Sequence, residues 1–356
     1  MYDPHAAHQR LIDYVAATYG DDLLRRDGHT YPVYVFPADA HQRARPDDLL
    51  VAEAPRHYMD RQSFAFYDEG HLEDLRHTRP VTNGITFCLD RLETGPLKLS
   101  AQLGHYFDLL ATCDALTNEL RAYSRGERDN LRLRERLHAT VPPRSLWRDG
   151  GGRCAGIGVA VLTVFNLDGR YHLILGQRAD SLATGPGLYH VVPALMFQPS
   201  GPDQFVNAEW SVTHQIVREF GEELFGMSEY ANWANPQSAD YFYGEPAISD
   251  LHAMLGLGGG GGQASAELMF TGMAFNPIST RAEVLALLMI HDADWYTRSM
   301  ASLEDSMRAE HQETRLIPLD TLDGLPEHLH LSMTPPGAAA LWLGIDVARE
   351  TLAARE

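Results

Sequence analysis

Lysine is almost missing from this chain of 356 residues: its 29 basic side chains are Lys98 and otherwise arginine, against 48 aspartates and glutamates, for a net charge of -19. A general grip on nucleic acid needs basic surface that displaces counterions, so that class of partner is excluded. Cysteine is scarce as well. Cys88, Cys113 and Cys154 leave an odd count and share no metal-ligand spacing, which argues against a disulfide framework and makes them small buried apolar residues. Runs of 18 or more apolar residues are absent, and the opening MYDPHAAHQRLIDY lacks the basic-then-apolar order of a signal peptide. The expectation is a cytoplasmic protein that crosses no membrane. Internal repeats are missing too.

What is there suits two domains or one elaborated domain, with 44% hydrophobic residues to build a sizeable core. Up to about residue 148, β-rich runs such as TYPVYVF and GITFCL mix with helical patterns. Leu103, Phe107, Leu110 and Leu116 recur near the helical period and predict a helix over Leu99–Ser124. The proline pair and glycine triplet of TVPPRSLWRDGGGR mark a linker, which divides the chain into an N-terminal α/β domain, 1–148, and a second domain, 149–356. The second opens with two β-branched runs flanking NLDG, a hairpin signal. A broken strand, GPGLYHVVPALMFQP, and a helix over about Glu209–Phe225 follow. The run Gly258–Gly262 is followed by no Lys-Ser or Lys-Thr, so it is a flexible loop rather than a phosphate loop. AELMFTGMAF and EVLALLMIHDADW resume the strands, and the chain closes on a helix entered through Pro335 and Pro336. Without regular βαβ spacing, the fold class is α+β, a mixed sheet with packed helices.

The segment REFGEELFG, Arg218–Gly226, places three glutamates in five residues. At 100° per residue Ile216, Val217, Phe220 and Leu224 gather on one side, with Glu219, Glu222 and Glu223 beside them. Like charges at i+3 and i+4 repel by a few tenths of a kcal/mol. Arg218 relieves part of this, best with Glu222, and a hard divalent cation would reverse its sign.

The order of hairpin with GQR, then PGLYHVVPA, then a loop and a helix carrying REFGEE, resembles the Nudix hydrolase family, whose box is G-x5-E-x7-R-E-U-x-E-E-x-G-U with U a bulky apolar residue. The resemblance covers about 156–353. It implies an αβα mixed sheet sandwiched by helices, with the N-terminal α/β domain added to it. It also implies Mg²⁺ or Mn²⁺ on Glu219, Glu222 and Glu223, with Arg218 orienting them and a backbone carbonyl of Ala194 or Leu195 as a further ligand. Arg178 matches an arginine that meets phosphate. The base is Glu223 or Glu283, the latter placed in a loop before an apolar strand, with Asp292 and Asp294 as weaker candidates. Several positions depart from the family pattern. Ala194 and Leu195 replace a Gly-Gly pair, the box glutamate position falls on Trp210 with Glu209 one step away, the segment before Arg218 is longer, and Gly226 comes one position late.

Two function classes stay open. One is a Mg²⁺-dependent hydrolase of a nucleoside diphosphate linked to a second moiety, such as a nucleotide sugar or ADP-ribose. The other is a non-hydrolytic Nudix-type nucleotide sensor. In either, the N-terminal part covers the pocket or mediates a homodimer. Tyr189, Trp210 and Trp233 can stack on a base or sugar, but aromatics more often fill cores. His328 and His330 alternate in HLHL, which on a strand would put two imidazoles on one face without a third zinc ligand nearby.

Overall fold

The computed structural model describes all residues except 1–2, 80, 180–186, 202, 228–238, 258–263, 300–302, 304–310 and 356. Trp233 and the glycine run Gly258–Gly262 therefore lie outside the described residues. Twelve strands are labelled in chain order: β1 (Leu24–Arg26), β2 (His29–Tyr31), β3 (Tyr34–Pro37), β4 (Ile85–Glu93), β5 (Lys98–His105), β6 (Gly158–Leu167), β7 (Arg170–Arg178), β8 (Tyr189–Val191), β9 (Ala194–Met196), β10 (Ala266–Asn276), β11 (Arg281–Ile290) and β12 (His311–Pro318).

Eight of these form one mixed sheet among the described residues. Its order is β12-β7-β6-β11-β10-β3, with β8 on β7 and β9 on β6. The predicted hairpin is β6–β7, and β6 runs parallel to β11 at the centre. The hairpin splays beyond Val164, and β8 and β9 pair with the separated halves. Strand β11 is buried along its whole length, so its alternation divides two cores rather than core from solvent. Ala282, Val284, Ala286 and Leu288 share one core with Ile216, Val217, Phe220 and Leu224 of the glutamate helix, Val212–Phe225. Leu285, Leu287 and Met289 share the other with the C-terminal helix, Pro335–Ala353. The architecture is thus α+β, a mixed sheet with a helix on each face.

Local chemistry explains both helices. Ser211 caps the glutamate helix by accepting the His214 N–H at 3.1 Å, and Gly226 ends it in the left-handed region at φ 67°. The displaced glycine is therefore the helix stop. Thr334 caps the C-terminal helix, and Pro335 and Pro336 occupy its first turn, where no N–H partner is missed. The small residues Gly337–Ala340 and Gly344 let that helix approach the sheet, a Cβ on Gly344 coming within 2.7 Å of Leu162.

Two local expectations are corrected. Leu99–Ser124 is not one helix: Lys98–His105 is β5, paired with β4, and the helix begins at Tyr106. Leu99 and Leu103 lie four apart, a spacing that satisfies a strand's period of two as well as a helix. HLHL lies on the short helix Glu327–Ser332 rather than on a strand, with His330 stacked 4.0 Å from His29.

Residues on both sides of 148 share sheet and core. Strand β3 pairs with β10, and Phe87 and Leu89 of β4 belong to the same core as the glutamate helix. The glycine triplet is packed: a Cβ on Gly150 would meet the Leu89 carbonyl at 1.6 Å. Two fully buried arginines clamp the turn between β10 and β11. Arg153 Nε donates to Thr280 O at 2.9 Å and Nη2 to Leu146 O at 2.9 Å. Arg134 donates to Pro277 O at 2.8 Å, to Ile278 O and to the Tyr19 hydroxyl at 2.6 Å. No described helix is long and apolar enough to cross a membrane.

Arg153→Met leaves several buried carbonyls without donors, each worth about 1–3 kcal/mol. Denaturant titration of Arg153→Met should show a loss of several kcal/mol; a midpoint within error of the wild type would mean that the clamp carries no load.

Candidate functional site

Glu209 ends a single helical turn, Val206–Glu209, and the chain breaks at Trp210 and Ser211 before the glutamate helix begins. The break turns the fully buried Glu209 carboxylate back onto Arg218, whose Nη1 lies 2.8 Å from its Oε2. Ser200 donates to Glu209 through Oγ at 2.6 Å and through its backbone N–H at 2.8 Å. Arg218 also donates to Gln215 Oε1 at 3.0 Å and to Gln198 O at 3.3 Å, and its Nε stands 3.7 Å from Glu222. Burial alone would lower the Arg218 pKa; Glu222, Glu209 and Glu219 reverse that and raise it. Burial pushes the Glu209 carboxyl up against the pull of Arg218. Arg218 thus pairs most closely with Glu209 rather than with Glu222. Trp210 takes the space beside the pair as a core residue, stacked on Phe197 with centroids 5.3 Å apart.

The three candidate metal ligands diverge in their contacts. Glu219 is half-buried. Glu222 accepts the Tyr241 hydroxyl at 3.3 Å, and Glu223 Oε2 accepts the Ala194 N–H at 3.3 Å. Among the described residues no group of three or more His, Cys, Asp or Glu side chains is placed to hold a metal ion. His328 and His330 likewise build no such group.

Beside Ala194 a cavity of about 230 Å³ opens between β9, the β10–β11 turn and the N-terminal part of the chain. Arg178, at the end of β7, and Leu195 line it, as does Glu283. Glu283 belongs to β11, not to a loop, and is buried, because the turn is tighter than the sequence suggests and the strand starts at Arg281. Its carboxyl occupies the space a side chain on Gly158 would need: a Cβ at that position would fall 1.6 Å from Oε2, so any larger residue there would displace the carboxyl. Burial raises the Glu283 pKa, against Arg281 at 3.9 Å and Arg178. Arg281 is itself fixed by Gly156 O at 2.8 Å and Met196 Sδ at 2.7 Å.

Sequence reasoning missed His190 and His311. His190 lines the cavity, with Nδ1 2.9 Å from Val191 O, and burial reinforced by Arg178 lowers its pKa to about 3. His311 of β12 packs on Gly176 with neither ring nitrogen hydrogen-bonded among the described residues, and burial followed by Arg178 lowers it to about 4. Neither lies in a motif; only the pairing of β12 and β8 with β7 brings them to Arg178. Tyr189 does not line the cavity. Its hydroxyl donates to Glu313 at 2.7 Å, and Arg315 covers its ring. Asp292 is bound by Arg298 at 2.8 Å, and Asp294 lies in the same turn. The N-terminal part does contribute to the cavity, through Tyr106, Asp114, Thr117 and Arg121.

Compared with known proteins, the chain matches no family model and no curated sequence.

Glu283 carries a raised pKa in the fold, so the stability it gives is complete below the ordinary glutamate value of 4.5 and lost as pH rises through the folded value. Glu283→Gln should therefore raise the melting temperature at neutral pH and flatten its fall on the alkaline side of 4.5. The depressed histidines act oppositely. His190 and His311, with His214 at about 4, give stability that is full above pH 6.5 and lost toward pH 4. Thermal melts from pH 4 to 8 check both signs; a Glu283→Gln profile parallel to the wild type would refute the first.

Proposed function

We propose that this chain is a Nudix-type protein whose cleft binds a nucleoside diphosphate joined to a second group. The observation that carries the reading is the cavity beside β9: Arg178 and Arg281 give it positive charge in a strongly acidic protein, and Ala194 on its wall is tied to Glu223 of the REFGEE helix. Anionic ligands are held in such a place by guanidinium forks in a low-dielectric setting, where each charge-assisted bond is stronger than in water. The mixed sheet with a helix on each face, and the Glu209–Arg218 pair that ties loop to helix, support the same family reading. Glu222 and Glu223 serve in this reading as structural carboxylates that balance Arg218 and fix β9.

Hydrolysis dependent on Mg²⁺ is the second reading. It is favoured by one observation, the presence of Glu219, Glu222 and Glu223 on one helix beside a cavity that also holds the Glu283 carboxyl. It requires the three carboxylates to regroup from the contacts described, so no reaction step is derived for it.

Calorimetric titration with ADP, ADP-ribose and nucleotide sugars, with and without Mg²⁺, should show binding that needs no metal. Arg178→Gln should weaken it by roughly tenfold or more, the worth of a charge-assisted bond. Glu223→Gln should leave it within about twofold, and phosphate release should be absent. Mg²⁺-dependent turnover that falls by orders of magnitude in Glu222→Gln and Glu223→Gln would replace binding by hydrolysis. Neither binding nor turnover with any of these compounds would refute both.

A further inference from the structure

The side of the cavity formed by the helix Ala115–Ser124 and the β10–β11 turn carries polar groups with hydrogen-bonding capacity to spare. Arg121 lies on the helix Ala115–Ser124, partly buried, and its guanidinium has no hydrogen bond or ion pair among the described residues. Burial lowers its pKa, while Asp114 works in the opposite direction. Ser279, in the β10–β11 turn, is 8% exposed, and its hydroxyl has no hydrogen-bond partner among the described residues. A buried hydroxyl without a partner is uncommon and asks for a ligand or an ordered water. Between them stand Thr117, which donates to Cys113 O at 3.0 Å and keeps its lone pairs, and Asn276, whose Oδ1 caps Ile278 N–H at 3.1 Å and leaves the amide NH₂ as a donor.

The backbone is shaped for this. The helix that bears Arg121 contains a π turn at Leu110–Asp114, a widening that recurs at functional sites, and it brings Asp114 to the cavity with His71 Nε2 2.8 Å from its carboxylate. On the other side, Arg134 and Arg153 lock the turn that presents Ser279 and Asn276. The cavity, at about 230 Å³, lies below the roughly 300–1,000 Å³ of pockets that enclose a drug-sized ligand, so in the diphosphate reading it encloses one ring-sized group of the ligand, with the nucleoside outside it.

We propose that this wall is a subsite for a small hydroxylated anion, a polyol or sugar bearing a phosphate or carboxylate, with Arg121 taking the charge and Ser279, Thr117 and Asn276 the hydroxyls. It rests on the diphosphate reading above in one respect: there, this anion is the second group of the ligand. A guanidinium without a hydrogen-bonded counter-charge favours an anionic occupant over a neutral sugar, because Asp114 acts on it only at a distance and is itself bonded to His71. Bare phosphate can accept from Ser279 and Asn276 but offers few hydroxyl donors to the lone pairs of Thr117 and Ser279, so a polyol that also donates fits this side of the cavity better.

Calorimetry on the full chain with ribose 5-phosphate, glucuronate, ribose and inorganic phosphate decides this. The charged polyols should bind more tightly than ribose or phosphate alone. Arg121→Gln should weaken them by roughly tenfold or more, Arg121→Lys by less, and Ser279→Ala by about two- to tenfold. Melting curves establish that each variant is folded; if Arg121→Gln is not, Arg121→Lys and Ser279→Ala carry the test. Failure of both charged polyols to bind, binding of ribose or phosphate as tight as theirs, or undiminished affinity in the folded variants would overturn the proposal. ADP, which lacks the second group, tests the diphosphate reading separately. Arg121-dependent binding of charged polyols without ADP binding would discard that reading and keep the subsite.

Discussion

Two guanidiniums set inside the protein hold its parts in register. Arg134 and Arg153 come from the region before the central hairpin, yet their donors end on carbonyls of residues 277, 278 and 280, the turn that joins β10 to β11. A lysine offers three donors from one point; the planar guanidinium spreads five over a fork and can reach several carbonyls at once. A chain with one lysine and many arginines is suited to such clamps. Four residues of the cavity are placed by that turn: Asn276 at the end of β10, Ser279 within it, and Arg281 and Glu283 at the start of β11.

The cavity is consequently a joint product. Its floor is sheet, with Arg178 and Glu283; one wall is β9, tied to the glutamate helix through Ala194; the other is the helix bearing Asp114 and Arg121. Charge inside it is unevenly compensated. The Arg218–Glu209 pair behind β9 is closed on itself by Ser200, Gln215 and Gln198, whereas Arg121 is left for a ligand. A site that binds need not be where carboxylates are densest in sequence.

Much of this is legible in the residues. The hairpin at NLDG, the broken strand and the closing helix appear where local pattern puts them, as does the end of the glutamate helix, whose start falls at Val212 rather than Glu209 because the chain breaks at Trp210 and Ser211. The start of the Tyr106 helix is not legible, since Leu99 and Leu103 satisfy two periods at once. Glu283 reads as a loop residue because nothing local says how tight the turn before β11 is. The Glu209–Arg218 pair is not legible, because nothing local announces the break at Trp210 and Ser211 that turns Glu209 back onto Arg218. His190, His311, Arg134 and Arg153 have no local signal at all, because their partners lie on strands and turns distant in sequence, and only the assembled sheet brings them together.

The position of β3 has a temporal meaning. It hydrogen-bonds to β10, so the edge laid down within the first forty residues waits for a strand made more than two hundred residues later. During synthesis from the amino terminus, β3 has no sheet to join, and Arg134 and Arg153 lack the carbonyls of residues 277, 278 and 280, until the β10–β11 turn emerges. Such late closure is entropically expensive and slow. Until then the edge that β3 offers stays open, and shielding of it by chaperones is the natural safeguard on the way to the native state.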